Sequence, residues 1–513
     1  MVRLSCALTV LTLSLAGSAG AATISPTRFD DPAAGGDHCL EPPLDCSLRW
    51  AAVTASDGDT IALGAGTYEV TLNSAIHLIH STPLVGAGAR LTTIARTAGT
   101  GAVLYIGPPE DWYTQRGPDG GPPQQPRVEG LVANLTVTGG LGGLYGGGIG
   151  VSDADATLNG VAVVGNHTAN TGTGGGGAGA GIMQVGYNQL TIVNSLIEDN
   201  VSEDDGGGGI AGGLYFSGKS ALVVNTTFTG NVADGPQGRG GAFFQQAGAF
   251  GKQITFVHST FVGNTAFGGG GNLYAFGGEI GLRGTLIGGG HGPAGAENCV
   301  ANGGHFVSDG ANLEGVTTQC ELGTSDLQGV SDARLGPLAD NGGQTDTFAL
   351  LPGSLAIDGG PAACTTPTGA AITVDQRGAP RPSGPRCDIG AFEAEQPAKA
   401  YGGCLITSAP RQAGTTDVVS SISCARNSRV VAAGILLIGQ PGSAARQAGR
   451  ALRQAADAAN AQQQVSIGRA TRKVRRHQKL RVKLRLSPAV RQRIAAARTE
   501  HRAIRFAISL RRR

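Results

Sequence analysis

Four side chains of this chain have the types and the closeness in sequence to act together as acid, base and charge stabiliser: Lys252, His258, Glu279 and Arg283. A β-eliminating lyase needs a basic group to take a proton beside a uronate, with cations around it. A glycoside hydrolase needs instead two carboxyl groups about 5–9.5 Å apart on one face. Asp199 and Glu198 are acidic, but the aligned positions are Gly165, Gly230 and Gly263 for the first and Val164, Thr229 and Val262 for the second. No second carboxylate stacks on either. Glu203-Asp-Asp205 abuts a glycine loop and reads as solvated. His258 replaces Asn194 and Asn225, so a hydrogen-bonding substitute is the simpler reading of it. No Gly-x-Ser-x-Gly, P-loop or His-Glu-x-x-His pattern is present.

Metal chemistry has equally few carriers. Cys6 falls in a leader, and eight cysteines remain as neighbours along the chain: Cys39 and Cys46, Cys299 and Cys320, Cys364 and Cys387, Cys404 and Cys424. None is spaced Cys-x-x-Cys, which argues against zinc and against a redox pair. An even count in an exported chain points to disulfides, each closing a local loop. Oxygen ligands from Asp358, Asp375 and Asp388 are the candidates for Ca²⁺. No other cofactor is expected.

The elements that must position these groups come from a repeat. Segments 158–166, 192–200, 223–231 and 256–264 align without gaps, and their final residues Asn166, Asn200, Asn231 and Asn264 recur after 34, 31 and 33 residues. Three positions earlier stand Val163, Ile197, Phe228 and Phe261. Apolar residues two apart, such as Leu190/Ile192 and Ile254/Phe256, share a strand face. Stacked coils would put each such pair above the next. The recurring Asn would then form an amide ladder, or else sit there because it tolerates αL at a turn. Two of the four glycosylation sequons, at Asn166 and Asn200, use ladder positions and are expected to point inward; the others are at Asn134 and Asn225. Glycine runs return once per period, as expected for corners where backbones approach closely. A β-propeller would need about 40 residues and four strands per blade. The fold expected is all-β: a right-handed parallel β-helix with a small basic C-terminal α+β or β-rich appendage.

Composition agrees. Gly accounts for 86 of 513 residues, with two Met and two Trp, which is unlike a conventional globular enzyme. Glycine does not recur at strict thirds, which excludes collagen. Met1-Val-Arg3, an apolar run from Leu4 to Ala16 and Ala19-Gly-Ala21 read as a signal peptide. The longest later apolar run, Val430 to Ile438, is too short to span a bilayer as a helix. Charge is split: residues 401–513 hold 23 Lys+Arg against 3 Asp+Glu, leaving 16 against 34 in residues 1–400. That marks a basic appendage on an acidic body.

Cys46-Ser-Leu-Arg-Trp50 followed by Gly58-Asp-Thr-Ile61 resembles the opening of bacterial surface proteins with a CSLREA-type domain, with Trp50-Ala51 where the family has Glu-Ala. Residues 338–345, 353–358, 375–378 and 387–393 resemble, in order, the motifs of the choice-of-anchor Q domain, with Leu355 where Pro is usual. These resemblances imply an exported, often surface-attached β-helix protein and no activity. The expected organisation is a signal peptide at 1–21, an N-terminal cap at 22–57, the β-helix at 58–334, and a closing region at 335–397 that seals the last coil with ion pairs of Arg377 and Arg381 to Asp375 or Asp388. A linker with a small disulfide loop and helix follows at 398–465, then a basic β-α-β segment at 466–513. The expected function is a secreted or cell-surface protein, monomeric, with a structural, adhesive or polymer-binding role. Its partners would be cell-wall or extracellular polysaccharide, with the basic tail on an anionic surface polymer and no specific nucleic-acid binding. The alternative is a β-helix polysaccharide lyase or glycoside hydrolase.

Overall fold

The computed structural model describes residues 21–32, 39, 45–108, 128–143, 146–168, 177–186, 188–204, 206–246, 253–316 and 319–395, and the backbone of strands between 404 and 512. The leader and Lys252 lie outside the described residues.

Each coil is three short strands separated by tight corners. In the coil that contains Asn200 these are Ile182–Val185, Gln189–Val193 and Leu196–Glu198, followed by the two-residue strand Val201–Ser202. Ile182, Leu190, Ile192 and Ile197 point inward and are fully buried. Every strand pairs in parallel with its counterpart one coil on. Leu158, Ile192, Val223, Phe256 and Leu282 thus form one unbroken row of Cα partners. Equivalent strands build a first, a second and a third sheet and a short fourth one. The first two are joined, because Leu273–Arg283 runs through their shared corner in one piece. The third sheet has 9 strands and the fourth 5. This is a parallel β-helix, and right-handed winding is what twisted parallel strands impose on their crossovers.

The asparagine row aligns. Asn166 Nδ2 donates to Asn200 Oδ1, Asn200 to Asn231 and Asn231 to Asn264, each at 2.9 Å. The ladder continues through Asn272 and Asn298, again at 2.9 Å per step. All six side chains are buried. None has a positive φ; the residue before each of the first four does: Gly165, Asp199, Gly230 and Gly263 at 61°, 52°, 65° and 70°. The αL alternative is therefore one residue out of place.

Both ends are closed. Ser47 caps helix Leu48–Thr54, its Oγ accepting from Trp50 N, and the helix buries Leu48, Ala51 and Ala52. Arg49 reaches Asp31 at 2.6 Å beneath it. At the other end Asp326 accepts from Asn312, and Glu314 from Gln319. Disulfides join Cys39–Cys46, Cys299–Cys320 and Cys364–Cys387.

The region from 335 packs Leu350, Ile389 and Phe392 against Leu286 and Leu313 of the last coils, and it extends well beyond them. It runs back along the outside of the stack as a brace over the corner between the second and third sheets. Arg283 donates to Thr365 O, His258 meets Asp388 O, and Asn225 donates to Val374 O. Gln376 and Thr345 reach Thr227 and Asn194, and Gln344 accepts from Ala89 N. The ion pairs Arg377–Asp375 and Arg381–Glu393 both lie within the brace and hold its own fold.

The C-terminal strands also differ from a β-α-β unit. Lys479–Arg485 pairs with Asp417–Cys424, whereas Ile504–Arg512 pairs with Ser428–Ile438, so the two expected strands belong to separate antiparallel sheets. Gln463–Val474, expected to begin as helix or linker, is a strand. The backbone places Cys404 opposite Cys424. The helix of the expected β-α-β segment lies outside the described residues.

Candidate functional site

The second sheet positions most of what can meet a ligand. Its strands present three rows outward. The first row carries one polar side chain on seven successive coils: Glu129, Asp155, Gln189, Ser220, Gln253, Glu279 and His305. All are exposed or half-buried. Asp155 Oδ1 accepts from Gln189 N at 2.8 Å, and Gln253 Nε2 donates to Glu279 Oε1 at 2.6 Å. His305 Nε2 lies 3.4 Å from Glu279 Oε2. The second row mixes Thr157, Thr191 and Thr255 with Leu131, Leu222, Gly281 and Val307, and Thr191 is buried and Leu222 packs against the brace. The third row disappears under the brace, where Val224 and Val257 pack against Cys364, Ile372 and Cys387. The first row is the open hydrogen-bonding strip of the sheet, with a step of about 4.8 Å per coil.

The four chemical candidates are not assembled. Glu279 and Arg283 sit at opposite ends of one strand segment, about 13 Å apart. Arg283 clamps the brace through Thr365 O at 3.0 Å and Thr365 Oγ1 at 3.3 Å. His258 is fully buried beneath the brace, with Nδ1 3.2 Å from Asp388 O and Nε2 without a partner. Burial, then Arg381 and Arg283, hold its pKa well below the ordinary histidine value, so it stays neutral. Glu279 instead finds Gln253 and His305. His305 escaped notice because the last coils lack the regular period: a register shift interrupts the pairing of Leu273–Arg283 with Cys299–Ser308.

A second grouping joins the stack and the brace. Glu198, half-buried on the third sheet, has its pKa pushed up to about 7 by burial, by Asp199 and by Asp346 of the brace. Asp346 pairs with Arg90 at 2.6 Å. Coil alignment alone offered no second carboxylate here, because Asp346 arrives from outside the repeat.

The aspartates suggested for calcium are engaged elsewhere. Asp375 holds Arg377 at 2.7 Å and accepts from Ala379 N and Glu393 N. Asp388 accepts from Asp358 N and Ala394 N. Arg381, expected to pair with an aspartate, faces Glu393 at 3.4 Å and donates to Asp388 O and Gly390 O. Arg377 also lies over the Phe392 ring, 3.6 Å from its centre. Among the described residues, the only three or more His, Cys, Asp or Glu groups that converge are His258, Cys364 and Cys387. The two sulfurs are bonded to each other, so they offer no thiolate to a metal.

Outside the first sheet, Tyr215, Phe244 and Tyr274 form a column unnoticed in a chain poor in aromatics. The rings stack with centroids 5.8 and 5.2 Å apart and planes 8° and 21° from parallel. Their faces are taken by one another, so the column stiffens coils rather than offering a platform for sugar rings.

No family model and no curated protein matches the chain. Among solved structures, the crystal structure of pectate lyase Pel9A is similar over 74% of this chain and 97% of its own, at 12% identity and a TM-score of 0.37. The fold is carried by the strand register, not by that likeness.

Proposed function

We propose that the chain is an exported, surface-associated β-helix that holds a hydroxyl-rich extracellular polysaccharide along the open strip of its second sheet and does not cleave it. The observation that carries this reading is the polar row from Glu129 to His305. One hydrogen-bonding side chain per coil, repeated without an apolar interruption, suits a linear ligand lying along the axis. The dispersal of Glu279, His258 and Arg283 speaks for retention over turnover. Three disulfides suit an oxidising compartment, and the resemblance of the brace to choice-of-anchor Q domains suits surface display.

Retention of the full chain on a panel of immobilised neutral and acidic polysaccharides tests this. Combined Gln253→Ala, Glu279→Ala and His305→Ala substitutions should weaken retention about tenfold, or about 1.4 kcal/mol, while the thermal midpoint holds. Unchanged retention rejects the strip as the site. A second reading, hydrolysis, is favoured by one observation: Glu198 near neutrality beside two other carboxylates. Reducing ends released by the wild type but not by Glu198→Gln would replace the first reading with the second.

A further inference from the structure

The C-terminal strands carry cations in a pattern the β-helix does not use. Along Lys479–Arg485, Lys479, Arg481, Lys483 and Arg485 occupy alternate positions, and Leu480, Val482 and Leu484 the others. Alternation puts the four cations on one face of the strand, about 6.8 Å apart. In the neighbouring sheet Arg429 stands directly opposite Lys473. Like charges at directly opposed positions destabilise a sheet; in the pairing of Lys479–Arg485 itself Arg485 stands opposite Asp417, while Lys479, Arg481 and Lys483 stand opposite Ser423, Ser421 and Val419 and have no acid opposite them. Residues 401–513 contain 20 Arg and 3 Lys. Arginine's planar fork binds carboxylate in a bidentate way that lysine cannot match. The same stretch has two aromatics, Tyr401 and Phe506, too few for a base-stacking platform.

We infer that the strand Lys479–Arg485 is a linear binding track for a carboxylated polysaccharide. A row of cations along one strand suits a linear polyanion, the forks of Arg481 and Arg485 favour carboxylate, and the acidic remainder of the protein confines that attraction to the tail. The track works independently of the polar strip on the second sheet.

The test uses the full chain on immobilised polygalacturonate, with dextran, double-stranded DNA and phosphatidylserine vesicles as comparison ligands. Retention on polygalacturonate should exceed retention on the other three. It should fall steeply between about 0.05 M and about 0.5 M salt as the charges are screened. Arg481→Gln with Lys483→Gln and Arg485→Gln should weaken it about tenfold. Should that variant lose its fold, Arg481→Lys with Arg485→Lys keeps the charge and removes the forks, and a loss of at least about threefold is expected. Arg239→Gln, which removes a β-helix cation outside both the strip and the track, should leave it unchanged, so that the loss is specific to the tail strand. Absence of retention at low salt overturns the track, as would follow if the chain's own acidic body occupied it. Equal retention on DNA or vesicles overturns the carbohydrate assignment.

Discussion

Two corners of the same coils use asparagine for opposite reasons. At the corner after the third sheet, Asn166, Asn200, Asn231 and Asn264 point inward with ordinary backbone. Each Oδ1 from Asn200 on accepts both the amide N–H and the Nδ2 of the residue below, as Asn231 Oδ1 does from Asn200. Only a side chain that donates and accepts at one length can continue that chain of bonds. At the corner between the second and third sheets, Asn134, Asn194 and Asn225 have φ of 56°, 54° and 48°, and the column also accepts Gly160, His258 and Gly284. There the backbone conformation is what is selected. Its amides pair loosely, at 3.2 Å from Asn225 to Asn194, and one turns outward to Val374 O of the brace at 2.8 Å. A column chosen for side-chain chemistry is invariant in type, and one chosen for φ is free to vary and to hold a second element.

That contrast is breakable by experiment. Asn231→Leu takes the acceptor from Asn200 N–H and the side-chain donor from Ile197 O in a dry interior and cuts the ladder on both sides, and should cost about 3 kcal/mol in denaturant unfolding. A loss below about 1 kcal/mol would mean that the ladder is ornament. Replacing both Cys364 and Cys387 by Ser should cost about 2 kcal/mol and raise amide exchange at Asn225 and His258, with ladder amides still protected. Exchange that rises equally at both corners would deny the brace its separate role. Glu198 supplies a pH arm. Its folded pKa of about 7 lies above the ordinary 4.5, so the folded chain binds the proton more tightly. The contribution of Glu198 to stability is therefore fully present below pH 4.5 and declines until it is lost as pH rises through about 7. Glu198→Gln should flatten that decline in a series of thermal midpoints, and an unaltered slope would assign it elsewhere. The smallest effect is expected for Asn194→Gly, within about 1 kcal/mol of the wild type, because glycine supplies the αL backbone that Asn194 adopts.

Much of the stack was legible beforehand. The alternation in Leu190/Ile192 and its equivalents placed the inward faces, and the spacing of Asn166, Asn200, Asn231 and Asn264 placed the coils in register. Asn272 and Asn298 were invisible because they enter the ladder from the beginning of the next coil, where the period breaks. The candidate site was barely legible. Gln189, Ser220 and Gln253 have no chemical signature singly, and become a row only when strands from successive coils lie side by side.

Periodicity is a local property, since a side chain every second position and a corner every thirty-odd residues follow from backbone geometry. The amino-acid order alone therefore specified a parallel stack, its buried rows, three cysteine pairs and a basic tail. The path of residues 335–394 obeys no period. Its seat over His258 and Asn225 depends on which outer surface offers matching shape and unpaired carbonyls, and that is settled only once the coils are wound. The seating of the brace also brings Asp346 to Glu198, which distance along the chain could not foretell, whereas Glu279 and Arg283 stand apart simply because an extended strand separates residues four positions on.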